Sequence, residues 1–160
     1  MRIKAVLAVC ILAASIAGGD AYAQRKSTPY FASISAGRAR MRTGPGRNYP
    51  ASWLYQRSDL PVKVLEIYQD WRKVEDPGGT QGWMLANLLS ETRTGLVMGN
   101  IADLRDTPRF GGRVMWRVAP GVVGRISKCS QGWCWFDVRG RAGYIEANRI
   151  WGVEINEILS

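Results

Sequence analysis

The chain has 160 residues, with 22 Lys and Arg against 13 Asp and Glu, seven Trp, no His and a formal net charge of +9. This length allows one ordinary domain or two small ones. Hydrophobic and charged fractions of 46% and 22% are typical of a globular chain. Because His is absent, a single chain can build no Ser-His-Asp triad, no Cys-His dyad and no His-containing zinc or haem site.

The first 23 residues have the layout of a secretory signal peptide. Positive charges at Arg2 and Lys4 precede an apolar run over residues 5–17, and an A-x-A site follows at residues 21–23. A transmembrane anchor needs about 20 apolar residues, and a lipoprotein would carry its Cys after the run, whereas Cys10 lies inside it. Cleavage after Ala23 leaves 137 residues with a net charge of +8. We expect an exported protein, in the periplasm, with no transmembrane segment in the mature chain.

Two stretches of the mature chain resemble each other. Blocks from the first recur in order in the second, and their offset drifts from 63 to 62 to 61 residues, as loops of unequal length would produce. The matched blocks are Met41–Pro45 with Leu104–Pro108, Gln69–Trp71 with Gln131–Trp133, Val74–Glu75 with Phe136–Asp137, Gly82–Met84 with Gly143–Ile145, and Ala86–Asn87 with Ala147–Asn148. The sequence therefore predicts two units, at residues 31–91 and 92–155, after a linker at 24–30 and before a tail at 156–160.

Each unit has the pattern of a small all-β domain. In the first, a β-branched run at residues 62–67 is followed by a run through Val74, a turn at residues 76–79 and a strand at 81–84. The second repeats this with runs at residues 122–126, 134–138 and 142–145. Short strands with frequent turns favour small barrels. We expect the two to pack together, joined by residues 92–95.

A basic strand precedes these runs. Arg38, Arg40 and Arg42 alternate with Ala39 and Met41, which places three guanidinium groups on one face of a strand. In the repeat, Arg105 corresponds to Arg42. Sixteen of the 20 mature basic residues are Arg, the type suited to bidentate contacts with carboxylate or phosphate. This face is either a solvated basic surface or a site for wall-peptide carboxylates, lipid phosphates or an acidic partner.

The two cysteines of the mature chain flank a predicted hairpin turn. Cys129 and Cys134 enclose Ser130-Gln131-Gly132-Trp133, and a two-residue turn at Gln131-Gly132 pairs Ser130 with Trp133 and sets the cysteines face to face. In an oxidising compartment this pattern favours a structural disulfide, whose short loop contributes little stability. A redox-active C-x-x-C motif has different spacing, and two thiols without His make a poor metal site.

Three motifs carry a resemblance to a known family. Arg42-Thr43-Gly44-Pro45-Gly46, then Trp71-Arg72-Lys73-Val74, then Gly79-Thr80-Gln81-Gly82-Trp83 resemble a bacterial SH3 domain of the secreted, SH3b-like type. The second copy diverges, because Thr107-Pro108-Arg109 replaces Gly-Pro-Gly. Its residues 143–150 still resemble the last strand and 3₁₀ turn of an SH3 barrel. The implied fold class is all-β, with two tandem small SH3-like β-barrels after a cleaved signal peptide.

The resemblance implies a binding module and no reaction. Bacterial SH3 domains are usually non-catalytic and occur around the cell wall, where they often bind peptidoglycan peptides or accompany wall enzymes. The groove that binds polyproline in eukaryotic SH3 domains is altered here, with Leu85 and Leu88 in the first copy and Glu146 and Arg149 in the second. Polyproline recognition is therefore not favoured.

Aromatic residues extend the set of candidate ligand contacts. Trp71 and Trp133 occupy positions that usually pack the barrel, which competes with a role in binding. Four others are less explained by the fold and are either exposed recognition anchors or buried between the units: Trp53, Tyr55, Trp116 and Trp135. Together with the arginines, the predicted ligand-binding residues are Arg38, Arg40, Arg42, Trp53, Tyr55, Trp71, Arg105, Trp116, Trp133 and Trp135.

We therefore expect a non-catalytic exported module that binds peptidoglycan or another anionic envelope component, without cofactor or metal. The alternative is a periplasmic adaptor or scaffold that recruits an envelope protein or forms a dimer. Catalysis is disfavoured, because adjacent carboxylates such as Glu75 and Asp76 point to opposite faces of a strand and lead into a turn. Nucleic acid fits the charge and the aromatic residues, but export removes that partner.

Overall fold

The computed structural model describes residues 26–160, so the predicted signal peptide and its cleavage after Ala23 lie outside the described residues. The described chain forms two antiparallel sheets of seven strands each, which confirms the all-β prediction. Two separate clusters of buried side chains lie one in each half. Between residues 26 and 160 no helix is long and apolar enough to cross a membrane.

The first domain is built from residues 30–90. A single 3₁₀ turn at Ala86–Leu88 precedes its last strand. The strands are β1 (Tyr30–Ile34), β2 (Ala39–Arg42), β3 (Ala51–Tyr55), β4 (Pro61–Tyr68), β5 (Trp71–Glu75), β6 (Gln81–Leu85) and β7 (Leu89–Ser90). Their order in the sheet is β3-β2-β6-β5-β4-β1-β7.

The second domain repeats this arrangement, with a 3₁₀ turn at Ala147–Arg149. Its strands are β8 (Thr94–Val97), β9 (Ala102–Arg105), β10 (Val114–Val118), β11 (Val123–Ser130), β12 (Trp133–Val138), β13 (Arg141–Glu146) and β14 (Ile150–Trp151). The sheet order is β10-β9-β13-β12-β11-β8-β14, which is the first order with every strand number raised by seven. The duplication predicted from the sequence is thus present in the topology.

Even the irregularities of the two sheets correspond. The β4–β5 ladder shifts register between Val64 and Glu66, and the β11–β12 ladder shifts between Ile126 and Lys128, 62 residues later. Such bulges bend a strand and increase its twist. On the inward side of β4, Val62 and Val64 are fully buried. The alternation of buried and exposed positions therefore sets the register, while the bulges let each sheet curve around its core.

Three expected boundaries are corrected by the structure. Strand β1 begins at Tyr30, which we had placed in the linker, and Thr94 and Gly95, expected in the connection between units, open strand β8. The expected tail at residues 156–160 is bound to the barrel: Leu159 exchanges two backbone hydrogen bonds with Cys129, of 2.9 and 3.0 Å. Turn propensity alone suggested loops here, whereas the free edges of β4 and β11 supply partners that extend the strands.

The predicted hairpin and disulfide are confirmed. Cys129 and Cys134 are bonded, with their Cα atoms 4.1 Å apart, and Ser130 pairs with Trp133. Gln131 and Gly132 have φ of 51° and 78°, the left-handed conformations that a two-residue type I′ turn requires. In the first domain the equivalent pair is Ile67 with Arg72. Only the second domain's hairpin is therefore closed by a covalent bond.

The two domains pack against each other, as expected. The rings of Phe31 and Trp151 meet edge to face across the boundary, with centroids 5.3 Å apart. The guanidinium of Arg93 lies 5.4 Å from the Phe31 ring and donates hydrogen bonds to both carboxylate oxygens of Glu157. A Cβ atom on Gly152 would clash with the Thr94 carbonyl oxygen of its own domain and would lie 3.3 Å from the Pro61 Cβ of the first domain, so only glycine permits this approach. The Phe31 ring thus contacts Trp151 and Arg93 across the boundary, while Glu157 holds Arg93 from the second domain.

Candidate functional site

An open groove of about 370 Å³ lies on the first domain. Two pairs of cross-strand neighbours contribute to its lining. Leu54 lies opposite Arg40 in the β2–β3 ladder, and Leu85 lies opposite Trp71 in the β5–β6 ladder. Trp71 is only 8% exposed and forms the floor. The groove is lined by Arg38, Arg40, Arg42, Arg47, Leu54, Trp71, Leu85 and Leu88.

The groove is strongly cationic. All three arginines of the basic strand line it, together with Arg47. Among residues 26–160, no carboxylate comes within 4.0 Å of these four guanidinium groups. Because each guanidinium can bind a carboxylate or phosphate through two parallel hydrogen bonds, the groove presents unneutralised donors for an anion.

The Gly-Pro-Gly loop after β2 holds one of these arginines in place. The Arg42 Nη1 donates a hydrogen bond of 2.7 Å to the Tyr49 carbonyl oxygen. The Tyr49 ring packs so closely on Gly44 that a Cβ atom there would lie 2.3 Å from the ring. Glycine at this position therefore lets the loop fold back toward Arg42. The loop also carries Arg47 to the groove.

In the second domain, side chains at several of the equivalent positions bind one another. Asp103 takes the place of Arg40, and its carboxylate accepts hydrogen bonds from Arg105 (2.8 Å) and Arg117 (3.4 Å). Phe110, at the position of Arg47, packs edge to face on Trp133 with centroids 5.3 Å apart. Arg105 also donates to the Gly112 carbonyl oxygen at 2.7 Å, the counterpart of the bond from Arg42 to Tyr49. The scaffold is thus shared, while Asp103 gives two arginines of the second domain a carboxylate partner. Trp133 stays partly exposed and lines a separate hollow of about 390 Å³.

A family model described as the bacterial SH3 domain matches residues 35–91 and again residues 98–152, together more than half of the chain. The chain belongs to the bacterial SH3 domain family. No curated protein matches this sequence. The resemblance drawn from the motifs is therefore confirmed, including the tandem arrangement of two SH3 domains.

Solved structures similar to this chain include two from Trichomonas vaginalis and one from Bacillus cereus ATCC 10987. NlpC1 from Trichomonas vaginalis is 16% identical with a TM-score of 0.36, over 79% of this chain and 46% of that chain. NlpC2 is 17% identical with a TM-score of 0.36, over 78% and 48%. The NlpC/P60 family protein from Bacillus cereus is 15% identical with a TM-score of 0.35, over 76% and 55%. The chain spans about half the length of these structures.

Two other aromatic candidates of the first SH3 domain lie outside the lining of the groove. Trp53 is 58% exposed on the edge strand β3. Tyr55 packs against the core, and its hydroxyl donates a hydrogen bond of 2.8 Å to Asp76. Burial raises the pKa of Tyr55, and the bond to Asp76 raises it further. The same Asp76 accepts backbone hydrogen bonds from Gly78 and Thr80, so Tyr55 braces the β5–β6 turn.

The aromatic candidates of the second SH3 domain are dispersed. Trp116 is 44% exposed, and the Arg141 guanidinium lies 5.5 Å from its ring. Trp135 packs edge to face on Tyr144 with centroids 5.0 Å apart, and the Lys128 ammonium lies over both rings. The structure therefore brings Arg38, Arg40, Arg42 and Trp71 together, but not the whole predicted set. The aromatic pair between the domains is instead Phe31 with Trp151.

Four lining residues were absent from the predicted ligand contacts. Leu54, Leu85 and Leu88 give the groove its apolar surface, and Arg47 adds a fourth guanidinium. The sequence carried a usable signal, because Leu85 and Leu88 stand where SH3 grooves bind their ligands. Within the described part of the chain, no three His, Cys, Asp or Glu side chains are grouped to hold a metal ion.

Proposed function

We propose that the chain is a non-catalytic, exported binding module whose first SH3 domain binds the carboxylate groups of peptidoglycan peptides. One observation carries the proposal: Arg38, Arg40, Arg42 and Arg47 converge on an open groove without a carboxylate partner among residues 26–160. Four unpaired guanidinium groups repel each other, and a bound anion relieves that repulsion.

The lining of the groove selects a peptide over a bare anion. Trp71, Leu85 and Leu88 offer apolar surface beside the guanidinium groups. A ligand that alternates carboxylates with small aliphatic side chains would place its charges on the arginines and its methyl groups on this surface. Wall peptides have this chemistry.

The absence of catalysis is supported by the state of the carboxylates. Glu75, one of the two adjacent acids, accepts a hydrogen bond of 2.6 Å from the Gln81 side chain. Both oxygens of the other, Asp76, are taken by Tyr55 and by two backbone amides. Carboxylates engaged in this way serve the turn, so this adjacent pair is not available as a general base. The Cys129–Cys134 disulfide fits an exported protein, because disulfides persist in oxidising compartments.

Co-sedimentation with purified cell-wall sacculi tests the proposal. Mature protein should pellet with sacculi, and salt should weaken the binding, because exposed charges are screened over about 8 Å at physiological ionic strength. The variant Arg38→Gln/Arg40→Gln should bind at least about tenfold more weakly, since charge-assisted hydrogen bonds contribute roughly 1.5–3 kcal/mol each.

The matched control removes two exposed arginines of the second SH3 domain, Arg109→Gln/Arg113→Gln. It lowers the net charge by the same amount but leaves the groove intact. Equal losses in the two double variants would mean that sacculi respond to net charge only, and the groove would have no specific role.

A further inference from the structure

A second basic surface lies between the two SH3 domains. A cleft of about 540 Å³ is bounded by residues 56–59 of the first domain and by strand β11 and the β12–β13 turn of the second. An adjoining depression of about 670 Å³ shares Arg57 and Arg139 with it. The two hollows are therefore continuous, and both domains are needed to form them.

Four arginines face this cleft. Arg57, Arg125 and Arg139 line the cleft itself, and Arg141 lines the adjoining depression. All four are exposed, and no carboxylate between residues 26 and 160 lies within 4.0 Å of their guanidinium groups. Two carboxylates also line the cleft, Asp59 and Asp137. Positive charges exceed negative ones by one in the cleft itself and by two when the adjoining depression is included, so the lining can bind an anion.

The cleft is held in shape by contacts from both domains. Arg57 Nη2 donates a hydrogen bond of 3.1 Å to the Gly121 carbonyl oxygen across the boundary. Arg139 and Gly140, with φ of 53° and 87°, form a tight turn that the Asp137 carboxylate fastens by accepting a hydrogen bond from the Gly140 amide at 2.6 Å. An anion entering here would meet the Arg57 guanidinium already held and the backbone of Arg139 fixed by its turn, which lowers the cost of binding.

The cleft and the arginine groove are adjacent. Arg38 lines the groove and Gln56 lines the cleft. Their chain neighbours Ala39 and Tyr55 are paired in the β2–β3 ladder, so Arg38 and Gln56 lie side by side at the end of that ladder. A polymer that carries repeated negative charges could therefore contact both places at once, which raises its apparent affinity without any new contact.

We propose that the interdomain cleft is a second anion-binding site, which takes a carboxylate or phosphate group between Arg57, Arg125 and Arg139. The further statement that it gives the chain a second contact with the same wall polymer rests on the proposed function. The site itself does not, because it follows from the charges and geometry of the cleft. It also assigns a use to the packing of the domains, since neither domain alone contains the cleft.

Amide NMR of the mature protein tests this site separately from the groove. Citrate and inorganic pyrophosphate are the probes, one for carboxylates and one for phosphates. The amides of Gly121, Gly124 and Gly140 report on the cleft, and those of Gly44 and Gly46 report on the groove. We expect saturable shifts of the cleft amides with at least one probe, which identifies the preferred oxyanion.

The variant Arg125→Gln/Arg139→Gln should raise the apparent dissociation constant at the cleft amides at least about tenfold. It leaves the bond from Arg57 to Gly121 in place, so the domain packing is preserved. Arg109→Gln/Arg113→Gln, with the same loss of charge, should leave the constant unchanged. Cleft amides that stay still with both probes, or that respond equally in both variants, would overturn the site. If the groove amides do not shift with either probe, that result would contradict only the proposed function.

Discussion

The two SH3 domains share one strand order and differ in what their equivalent grooves contain. In the first, Arg40 stands opposite Leu54 in an open cationic groove. In the second, Asp103 stands opposite Arg117 and binds it together with Arg105, and Phe110 packs edge to face on Trp133. A carboxylate at the place of Arg40 thus gives two arginines of the second domain an internal partner, which the arginines of the first groove lack among residues 26–160. The two domains therefore share a scaffold and differ in the charges that it carries.

The second domain has features of a structural partner that the first lacks. Its β11–β12 hairpin is closed by a disulfide, where the first domain has Ile67 opposite Arg72. It also supplies three of the four arginines of the interdomain cleft. The two domains thus differ in their covalent constraint and in what they contribute to the cleft.

The largest effect should follow from making the first groove resemble the second. Arg40→Asp removes one guanidinium and places a carboxylate beside the others, so it should lower the affinity for sacculi by about a hundredfold. Arg109→Asp makes the same change of charge on an exposed loop and should cost less than about threefold. Co-sedimentation measures both. If the two variants lose affinity equally, the difference between the grooves has no bearing on binding.

The next effect concerns the disulfide of the second domain. Cys129→Ala/Cys134→Ala should lower the free energy of unfolding of that domain by about 2 kcal/mol, the loop-entropy value for so short a loop. Hydrogen exchange should show faster opening of β11–β12, with β4–β5 unchanged. The matched variant Ile67→Ala/Arg72→Ala occupies the equivalent places in the first domain. If removing the disulfide accelerated hydrogen exchange equally in both domains, the result would contradict the expectation that the disulfide stabilises the second domain alone.

A smaller effect is expected from opening the second groove. Asp103→Arg removes the carboxylate that Arg105 and Arg117 share and restores the charge found at Arg40. We expect about a threefold gain in affinity for sacculi, because exposed charges contribute at most about 1 kcal/mol. Glu91→Arg is the control with the same change of charge. If the affinity for sacculi rises no more than in Glu91→Arg, the gain comes from net charge alone.

The smallest effect involves Glu157, which holds Arg93 beside the Phe31 ring of the first domain. Burial alone would raise the pKa of Glu157, but hydrogen bonds from Arg93 and from the Glu154 amide outweigh it and lower the pKa. The stability from Glu157 is therefore full above its ordinary pKa of 4.5 and is lost as the pH falls through the lower folded value. Glu157→Gln should flatten this acid loss, by less than about 1 kcal/mol for a partly exposed group.

Urea unfolding between pH 3 and 7 measures the acid loss. Glu154→Gln is the control, because its partner Lys63 lies on the same boundary at a more exposed site. An unchanged pH profile in Glu157→Gln would show that the pair with Arg93 adds nothing to stability.

Much of the structure could be predicted from local sequence patterns, because those parts are determined by residues that are close together in the chain. Gln131-Gly132 determines a turn, the turn determines the register, and the register brings Cys129 to Cys134. Alternation along the basic strand likewise predicted that Arg38, Arg40 and Arg42 share a face, and all three line one groove.

Contacts between distant residues were not predictable in this way. Tyr55 reaches Asp76, 21 residues away, and Arg93 reaches Glu157, 64 residues away. Neither distance leaves a periodic signal in the sequence, since tertiary packing brings the partners together. The contacts of Asp103 with Arg117 and of Phe110 with Trp133 have the same origin, because each joins residues from different parts of the sheet.

The central claim is that the first groove binds wall peptides and the second does not. Indole N–H NMR signals test it most directly, because Trp71 and Trp133 occupy equivalent places in the two domains. Each signal is assigned by replacing its Trp with Phe, and soluble wall muropeptides are then added to the mature protein. The Trp71 signal should shift in a saturable way while the Trp133 signal stays in place. A shift confined to Trp133, or equal shifts of both signals, would contradict the claim.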